Sequence, residues 1–470
     1  MMKKVIMKFG GTSVGTGENI RQVAGIVAQY SKECRVTVVV SALAGVTNKL
    51  LEVACQAQNG DEKIVKSFTD EMLQRHKEAI VAAIVSKSLQ KEVNQTIEEI
   101  LSELEKVLTG ICYVGELTVK SKDYVVSFGE RLSAPIVCGA IQDCNLETRC
   151  FTGKEAGIVT DSNFGEADPL MNFTGHLVRE RLGPLLEKGV IPVVTGFIAA
   201  NQDGVVTTVG RGGSDYTATI LGVALAADEV WIWTDVDGIM TTDPKLVPTA
   251  KLLPQLSYQE AAEMAIFGAK AMHPRALGPV SKENIPVRIR STFHPEKSGT
   301  LITKEPVANV GQVVKAVAMI KDVAMLNING AAMVGAPGSY AKVFDTLGRN
   351  NINVMMISTA VSEANISMII KRGMLSRAIS NIEIALLEQG GLVSEVAAED
   401  DVVVIAVMGA YMKGSLGLAS KIFDIAAKKG INIRMIAQGS SESNISFVVK
   451  EKDGIAVVKA IHEEFNLDKT

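Results

Sequence analysis

Apolar positions along the first three hundred residues fall in short unbroken runs separated by amphipathic stretches. VTVVVS (Val36–Ser41), VVSF (Val125–Phe128), VIPVVT (Val190–Thr195) and VWIWT (Val230–Thr234) are the strand candidates. Their near-continuous apolar character suits strands buried on both faces, as in a mostly parallel sheet sandwiched by helices, and predicts an α/β fold. The pattern changes between residues 61 and 108. That stretch has no proline or glycine, and its apolar residues recur at helical spacing with charges between them. It predicts one or two long helices, inserted into the sheet domain as a hairpin. A polar, turn-rich segment over 292–309 (TFHPEKSGTLITKEPVAN) then marks a boundary.

Beyond that boundary the chain repeats itself. Residues 338–371 (GSYAKVFDTLGRNNINVMMISTAVSEANISMIIK) and 417–450 (GLASKIFDIAAKKGINIRMIAQGSSESNISFVVK) align without gaps and share 14 of 34 positions. A fixed-period repeat of this kind signals a duplicated supersecondary unit. The first unit parses as strand (324–331), helix (339–350), strands (352–358 and 365–371), helix (375–388) and a last strand near 391–397. This is the βαββαβ order of a ferredoxin-like module. The second runs the same series from residue 402, but its second helix, near 454–465, leaves no room for a last strand. A spare apolar run over 313–320 (VVKAVAMI) is expected to supply it, so that the first unit is inserted into the second. The expected domains are therefore 1–300 with a helical insertion at 61–108, a first module at 323–398, and a second at 401–470 completed by 313–320.

A chain of 470 residues exceeds one ordinary core and fits this multi-domain reading. Aromatics at 5% and a net charge of −4 argue against nucleic-acid partners. The six cysteines form no C-x-x-C pair, which points to reduced thiols rather than a zinc knuckle or redox motif. No run approaches the roughly 20 apolar residues of a membrane span, and no signal-peptide pattern precedes the first glycines. The expectation is a soluble, cytoplasmic protein. Any anionic ligand must be held by a local basic pocket.

Four segments carry candidate chemistry. In KKVIMKFGGTSVGTG a strand runs into Gly10 and Gly11, but the lysine of a phosphate loop comes before the glycines, as Lys8, so neither a Walker A loop nor a dinucleotide fingerprint fits. In VTTVGRGGSDYTA a second strand enters a glycine turn with Arg211 ahead of Gly212 and Gly213, and with Ser214 and Asp215 in the first turn of a helix. Arginine and exposed N–H groups at a helix start both favour a carboxylate or phosphate. In WIWTDVDGIMTTDP a buried strand ends at Thr234 and Asp235, with Asp237 and Asp243 following. Carboxylates at that end of a sheet suit a Mg²⁺ ion, a ribose, or only a solvated turn. In AAEMAIFGAKAMHP, Lys270 stands in an apolar helical context, where snorkelling is the plainer reading.

Taken together, KFGGTS, SFGERLS with Glu130, GRGGSD, WTDVDGI-M-TTDP and EMA-I-FGAK-A-M-HP resemble the aspartate kinases of the amino-acid-kinase superfamily, and the tandem repeat resembles their paired C-terminal ACT modules. The resemblance covers essentially the whole chain. It implies ATP- and Mg²⁺-dependent phosphorylation of the β-carboxylate of L-aspartate, the first step towards lysine, threonine and methionine. By that resemblance Lys8, Gly10 and Gly11 hold phosphate oxygens, and Ser13 also belongs to the cofactor site. Arg211 pairs with the substrate α-carboxylate and Glu130 with its α-ammonium, while Ser41, Thr47, Gly212, Gly213 and Ser214 line the pocket and Asp215 orients the reacting groups. Thr234, Asp235, Met240, Lys245, Lys270 and Ala271 contact the nucleotide, with Met240 and Lys245 standing where relatives carry tyrosine and arginine.

The ACT resemblance implies feedback by lysine, threonine or both, and a homodimer or dimer of dimers built through these modules. The implied effector residues are Met333, Ala336, Ser339, Tyr340, Asn353, Val354 and Thr359, with Gln438 in the second repeat. Met355 follows Val354 close to where lysine-sensing relatives carry an aspartate, while MIAQGSSESNISF is similar to threonine-sensing relatives. Two rivals stand beside this reading: a kinase for another acceptor such as glutamate, acetylglutamate or carbamate, and a catalytically inactive amino-acid sensor. With Thr470 as the last residue, an appended nicotinamide domain is not expected.

Overall fold

The computed structural model describes residues 2–267, 272–305, 313–359, 365–388, 391, 393–409, 412, 414–439 and 443–469. The chain divides into two compact units. One comprises Met1–Ile239, Pro254–Ala262 and Lys270–Val307; the other comprises Met240–Leu253, Glu263–Ala269 and Ala308–Thr470.

Through residue 307 the element order is β1 (Lys3–Phe9), α1 (Gly17–Tyr30), β2 (Cys34–Val40), α2 (Val46–Gln58), α3 (Glu62–Ala83), α4 (Lys87–Val114), α5 (Val119–Gln142), β3 (Thr148–Phe151), α6 (Gly153–Ala156), β4 (Val159–Thr160), α7 (Met171–Glu187), β5 (Ile191–Thr195), β6 (Ile198–Asn201), β7 (Val206–Thr208), α8 (Gly213–Ala224), β8 (Glu229–Thr234), β9 (Gln255–Ser257), α9 (Tyr258–Ile266), α10 (Pro274–Glu283), β10 (Val287–Ser291) and β11 (Thr300–Thr303). Eight of the strands form one sheet in the order β3-β5-β2-β1-β8-β10-β11-β9. Its pairings are parallel except for β10 with β11. The central strands are buried on both faces, which is why they read as unbroken apolar runs rather than alternating ones.

Val125–Phe128, expected as a strand, is part of helix α5 instead. Between Val125 and Ile141 that helix is buried nearly all round. A helix covered on every side loses its polar stripe, so a four-residue window of it looks the same as a buried strand. The stretch 61–108 forms α3 and α4, which break apart at residues 84–86 although neither glycine nor proline stands there. Asp143 explains the break: its carboxylate accepts from the Val85 N–H at 2.6 Å and the Ser86 N–H at 3.0 Å. The donors freed between two helices are thus satisfied from the end of α5.

In the second unit, β12 (Ala316–Asn329), α11 (Ser339–Arg349), β13 (Val354–Thr359), β14 (Asn365–Lys371), α12 (Leu375–Ile382), β15 (Glu395–Met408), α13 (Leu418–Lys428), β16 (Met435–Ala437), β17 (Asn444–Lys450) and α14 (Glu451–Glu464) follow in order. One antiparallel sheet runs β13-β14-β12-β15-β17-β16. The segments read as separate strands at 313–320 and 324–331 are a single long strand, β12. Its pairing with β15 is irregular between Ile320 and Val323, where Asp322 adopts φ 57°. The later half of β12 pairs with β14 and its earlier half with the later half of β15, which in turn pairs with β17. Each of the two central strands therefore serves both repeats.

Candidate active site

β1, β2 and β8 are parallel neighbours, so their carboxyl ends open on one side of the sheet, where α/β sheets place ligands. Lys8 is the last residue but one of β1. Its side chain is nearly buried, and its Nζ lies 2.6 Å from Asp215 Oδ1 in the first turn of α8. After β1 the chain turns back: the Gly10 N–H donates to the Trp233 carbonyl at 3.1 Å, and the Ser41 N–H donates to the Phe9 carbonyl at 3.2 Å. Gly11 lies so close to the next loop that a Cβ there would come 3.1 Å from the Ala42 carbonyl oxygen. At the start of α8 the constraint is stricter. Gly212 has φ +69°, and a Cβ on it would fall 2.2 Å from His273 Cβ, so only glycine fits.

A cavity of about 900 Å³ opens between these loops. Of the residues singled out in the sequence, Lys8, Gly11, Ser41, Thr47, Glu130, Arg211, Gly212, Gly213, Ser214 and Asp215 all line it. Arg211 is exposed, whereas Glu130 on α5 is buried. Glu130 Oε1 accepts from the Ala42 N–H at 3.2 Å, and its Oε2 is buried without a hydrogen-bond partner. Burial pushes its pKa up to about 8, against the smaller opposing pulls of backbone N–H donors and the Lys8 charge. At neutral pH the raised value favours the protonated carboxyl.

Other expected residues lie elsewhere. Ser13 is fully buried, with its hydroxyl 2.7 Å from Thr292 Oγ1. Gly10 has its N–H engaged by Trp233. Thr234 donates to its neighbour Asp235 at 3.1 Å. Asp237 is held by His294 at 2.7 Å and Lys297 at 2.6 Å, whose hydrogen bonds keep its carboxyl below the usual range. Met240 and Lys245 fall in the second unit, and Lys270 and Ala271 lie outside the described residues. In the second unit Met333 and Ser339 are buried, Ala336 and Val354 half-buried, and Asn353, Thr359 and Gln438 exposed, while the Tyr340 hydroxyl is buried without a hydrogen-bond partner.

Among the lining residues that sequence reading did not single out, three stand out. Asp123 sits two helical turns before Glu130 on α5. Phe197 adopts φ 66°, unusual for an aromatic residue, and His273 packs under Gly212. The HP dipeptide was the one available signal for His273. Asp123 lies within a helix, and Phe197 follows the single Gly196 at the end of β5, a turn with no charged residue beside it to mark it.

The profile of the Amino acid kinase family matches residues 3–291, and that of the ACT domain matches 326–386 and 405–465. Aspartokinase 2 of Arabidopsis thaliana, a chloroplastic protein, is 32% identical over 98% of this chain and 84% of its own length. The chain belongs to the aspartokinase family. Bifunctional aspartokinase/homoserine dehydrogenase 1 of Zea mays is 35% identical over 99% of the chain, which spans about half of that relative's length, 50%. Among solved structures, aspartokinase III of E. coli matches at 30% identity over 98% of this chain and 99% of its own. The TM-score is 0.82 for its T-state and 0.80 for its R-state. The aspartokinase α/β fold and its ACT pair are thus the fold described above. Among the described residues no helix is long and apolar enough to cross a membrane.

Proposed function

We propose that the chain transfers the γ-phosphoryl group of ATP to the β-carboxylate of L-aspartate, giving 4-phospho-L-aspartate and ADP. The observation that carries this reading is one cavity lined by both Arg211 and Glu130 beside the Lys8–Asp215 pair. An amino-acid substrate needs a cation for its α-carboxylate and an acid for its α-ammonium, and Arg211 and Glu130 supply one of each. Glu130 also favours this acceptor over acetylglutamate or carbamate, which have no ammonium to meet. The E. coli relative has been solved with aspartate and ADP, and with lysine and aspartate.

The attacking β-carboxylate is already ionised at neutral pH, so no general base is required. Its oxygen forms the new P–O bond as the bond to the β,γ-bridging oxygen breaks and ADP leaves with the electron pair. What the protein must do is align two anions and offset charge in the transition state. Lys8 does so from β1, held in place by Asp215, while the N–H groups at the start of α8 and of Gly11 would meet the phosphates; the Gly10 N–H is already given to the Trp233 carbonyl. Among the described residues no cluster of three or more His, Cys, Asp or Glu could hold a metal by itself, so Mg²⁺ would enter with the nucleotide and would supply positive charge to offset the phosphates.

Lysine, threonine or both are sensed at the tandem modules, and two copies associate through them. The support is local: the buried Tyr340 hydroxyl lacks a hydrogen-bond partner beside Ser339 in the first turn of α11. Production of ADP from ATP and Mg²⁺ with L-aspartate, L-glutamate or carbamate tests the reaction, followed by aspartate with added lysine or threonine. ADP formed only with aspartate, and less of it with an added effector, is the expected result. Absence of turnover with every acceptor leaves the inactive sensor as the better account.

A further inference from the structure

Arg211 follows β7 by three residues, and nothing in its own motif explains what aims it. Two charged side chains from distant parts of the first unit grip the chain just ahead of it. From α5, Asp123 accepts from the Thr208 N–H at 3.0 Å, the Thr208 hydroxyl at 2.8 Å and the Gly165 N–H at 2.9 Å. From the start of α10, Arg275 donates to the Val209 carbonyl at 2.9 Å, the Ala167 carbonyl at 3.2 Å and Asp168 Oδ1 at 2.6 Å. Its guanidinium also stacks 4.9 Å from the Tyr216 ring. Gly210, between the clamp and Arg211, has φ +76°, and a Cβ there would be 3.3 Å from Arg275 Nη1. The carboxylate thus fixes residue 208, the guanidinium fixes residue 209, and both also hold the 165–168 loop alongside.

We propose that Asp123 and Arg275 are positioning residues, a two-point clamp that sets the distance between Arg211 and Glu130 and so selects the span of the bound amino acid. Asp123 and Glu130 stand seven residues apart on one helix, two turns along the same face. A single rigid element therefore carries the acid for the substrate's cationic end and the anchor for the strand that brings the basic group to its anionic end. Asp168 is a helper, because Arg275 keeps two carbonyls and the Tyr216 face without it.

The identity of the ligand rests on the aspartate-kinase reading, whereas the clamp itself does not. The test uses full-length Arg275→Met, Arg275→Lys and Asp123→Asn, with Asp168→Asn as the milder change. Amide exchange at 161–170 and 205–211 is expected to rise about tenfold or more in Arg275→Met and Asp123→Asn, less in Arg275→Lys, and least in Asp168→Asn. KM for aspartate should rise roughly tenfold while KM for ATP stays within about twofold, a split that general destabilisation would not produce. Unchanged exchange in these segments, or equal rises in both KM values that track a fall in Tm, would overturn the clamp. Should Asp123→Asn fail to fold, the Arg275 series decides alone. A wild-type chain inert towards aspartate would refute the functional reading, and the exchange data would still judge the clamp.

Discussion

Glu130 is the residue whose environment makes the sharpest claim. On the proposed reading, which sets the α-ammonium of aspartate beside it, the ionised form is favoured, and binding of aspartate below pH 8 would release a proton. Affinity for aspartate should therefore climb between pH 6 and about 8, by at most about tenfold per unit, and then level off. In Glu130→Gln the slope should vanish and KM for aspartate should rise by roughly two orders of magnitude; a KM titration from pH 6 to 9 reads both. The empty protein behaves in the opposite sense. Its folded-state pKa is raised, so stability is full below the ordinary carboxyl value near 4.5 and is lost as pH rises through about 8. Sequence reading found Lys8 and Arg211 because glycine turns next to charged residues are local patterns, whereas Glu130, inside helix α5, entered only through the family resemblance of SFGERLS. Asp123 and Arg275 escaped because most of their partners are backbone atoms more than forty residues away, which leave no mark on composition or spacing.

At the scale of elements, the helical insertion was legible and its internal break was not. Periodicity reveals α3 and α4, but the carboxylate that caps the gap comes from Asp143, nearly sixty residues on. α5 was misread for the complementary reason, since full burial removes the polar face by which helices are recognised. Within α3, His76 is wholly buried, its Nδ1 2.7 Å from the Met72 carbonyl and its Nε2 without a partner. Burial pulls its pKa down to about 4. A depressed histidine takes up its proton more readily when unfolded, so stability falls as pH drops from 6.5 towards 4. His76→Leu should flatten that decline, retaining up to about 3 kcal/mol at pH 4 relative to wild type, as read by denaturant unfolding at pH 7 and pH 4. An equally steep acid loss in the variant would show that other groups govern it.

At the scale of the whole molecule, the duplicated modules are one folding unit. β12 and β15 each supply strands to both repeats, so neither repeat can lose its sheet alone. Ile366 lies in the core of the first repeat and Phe447 in that of the second, both fully buried. Ile366→Ala and Phe447→Ala should each cost about 2–5 kcal/mol and, in calorimetry of the full chain, should lower one shared transition. Two separable transitions would contradict the shared-strand picture. The repeat was readable because duplication is visible in a single sequence, but the fusion of paired strands was not, since it depends on which neighbour each half meets.

The second unit also incorporates polypeptide from far earlier in the chain. Thr241 accepts from the Val317 N–H at 2.9 Å through its carbonyl, its hydroxyl lies 3.0 Å from His462 Nε2, and Val247 packs in the core with Val317, Val407 and Leu418. Exchange of the second unit between relatives therefore has no single seam. A graft that starts at residue 308 brings a core with a Val247-shaped hole and leaves its plug behind in the donor, so a working chimera must carry three separate segments, with five junctions along the gene rather than one.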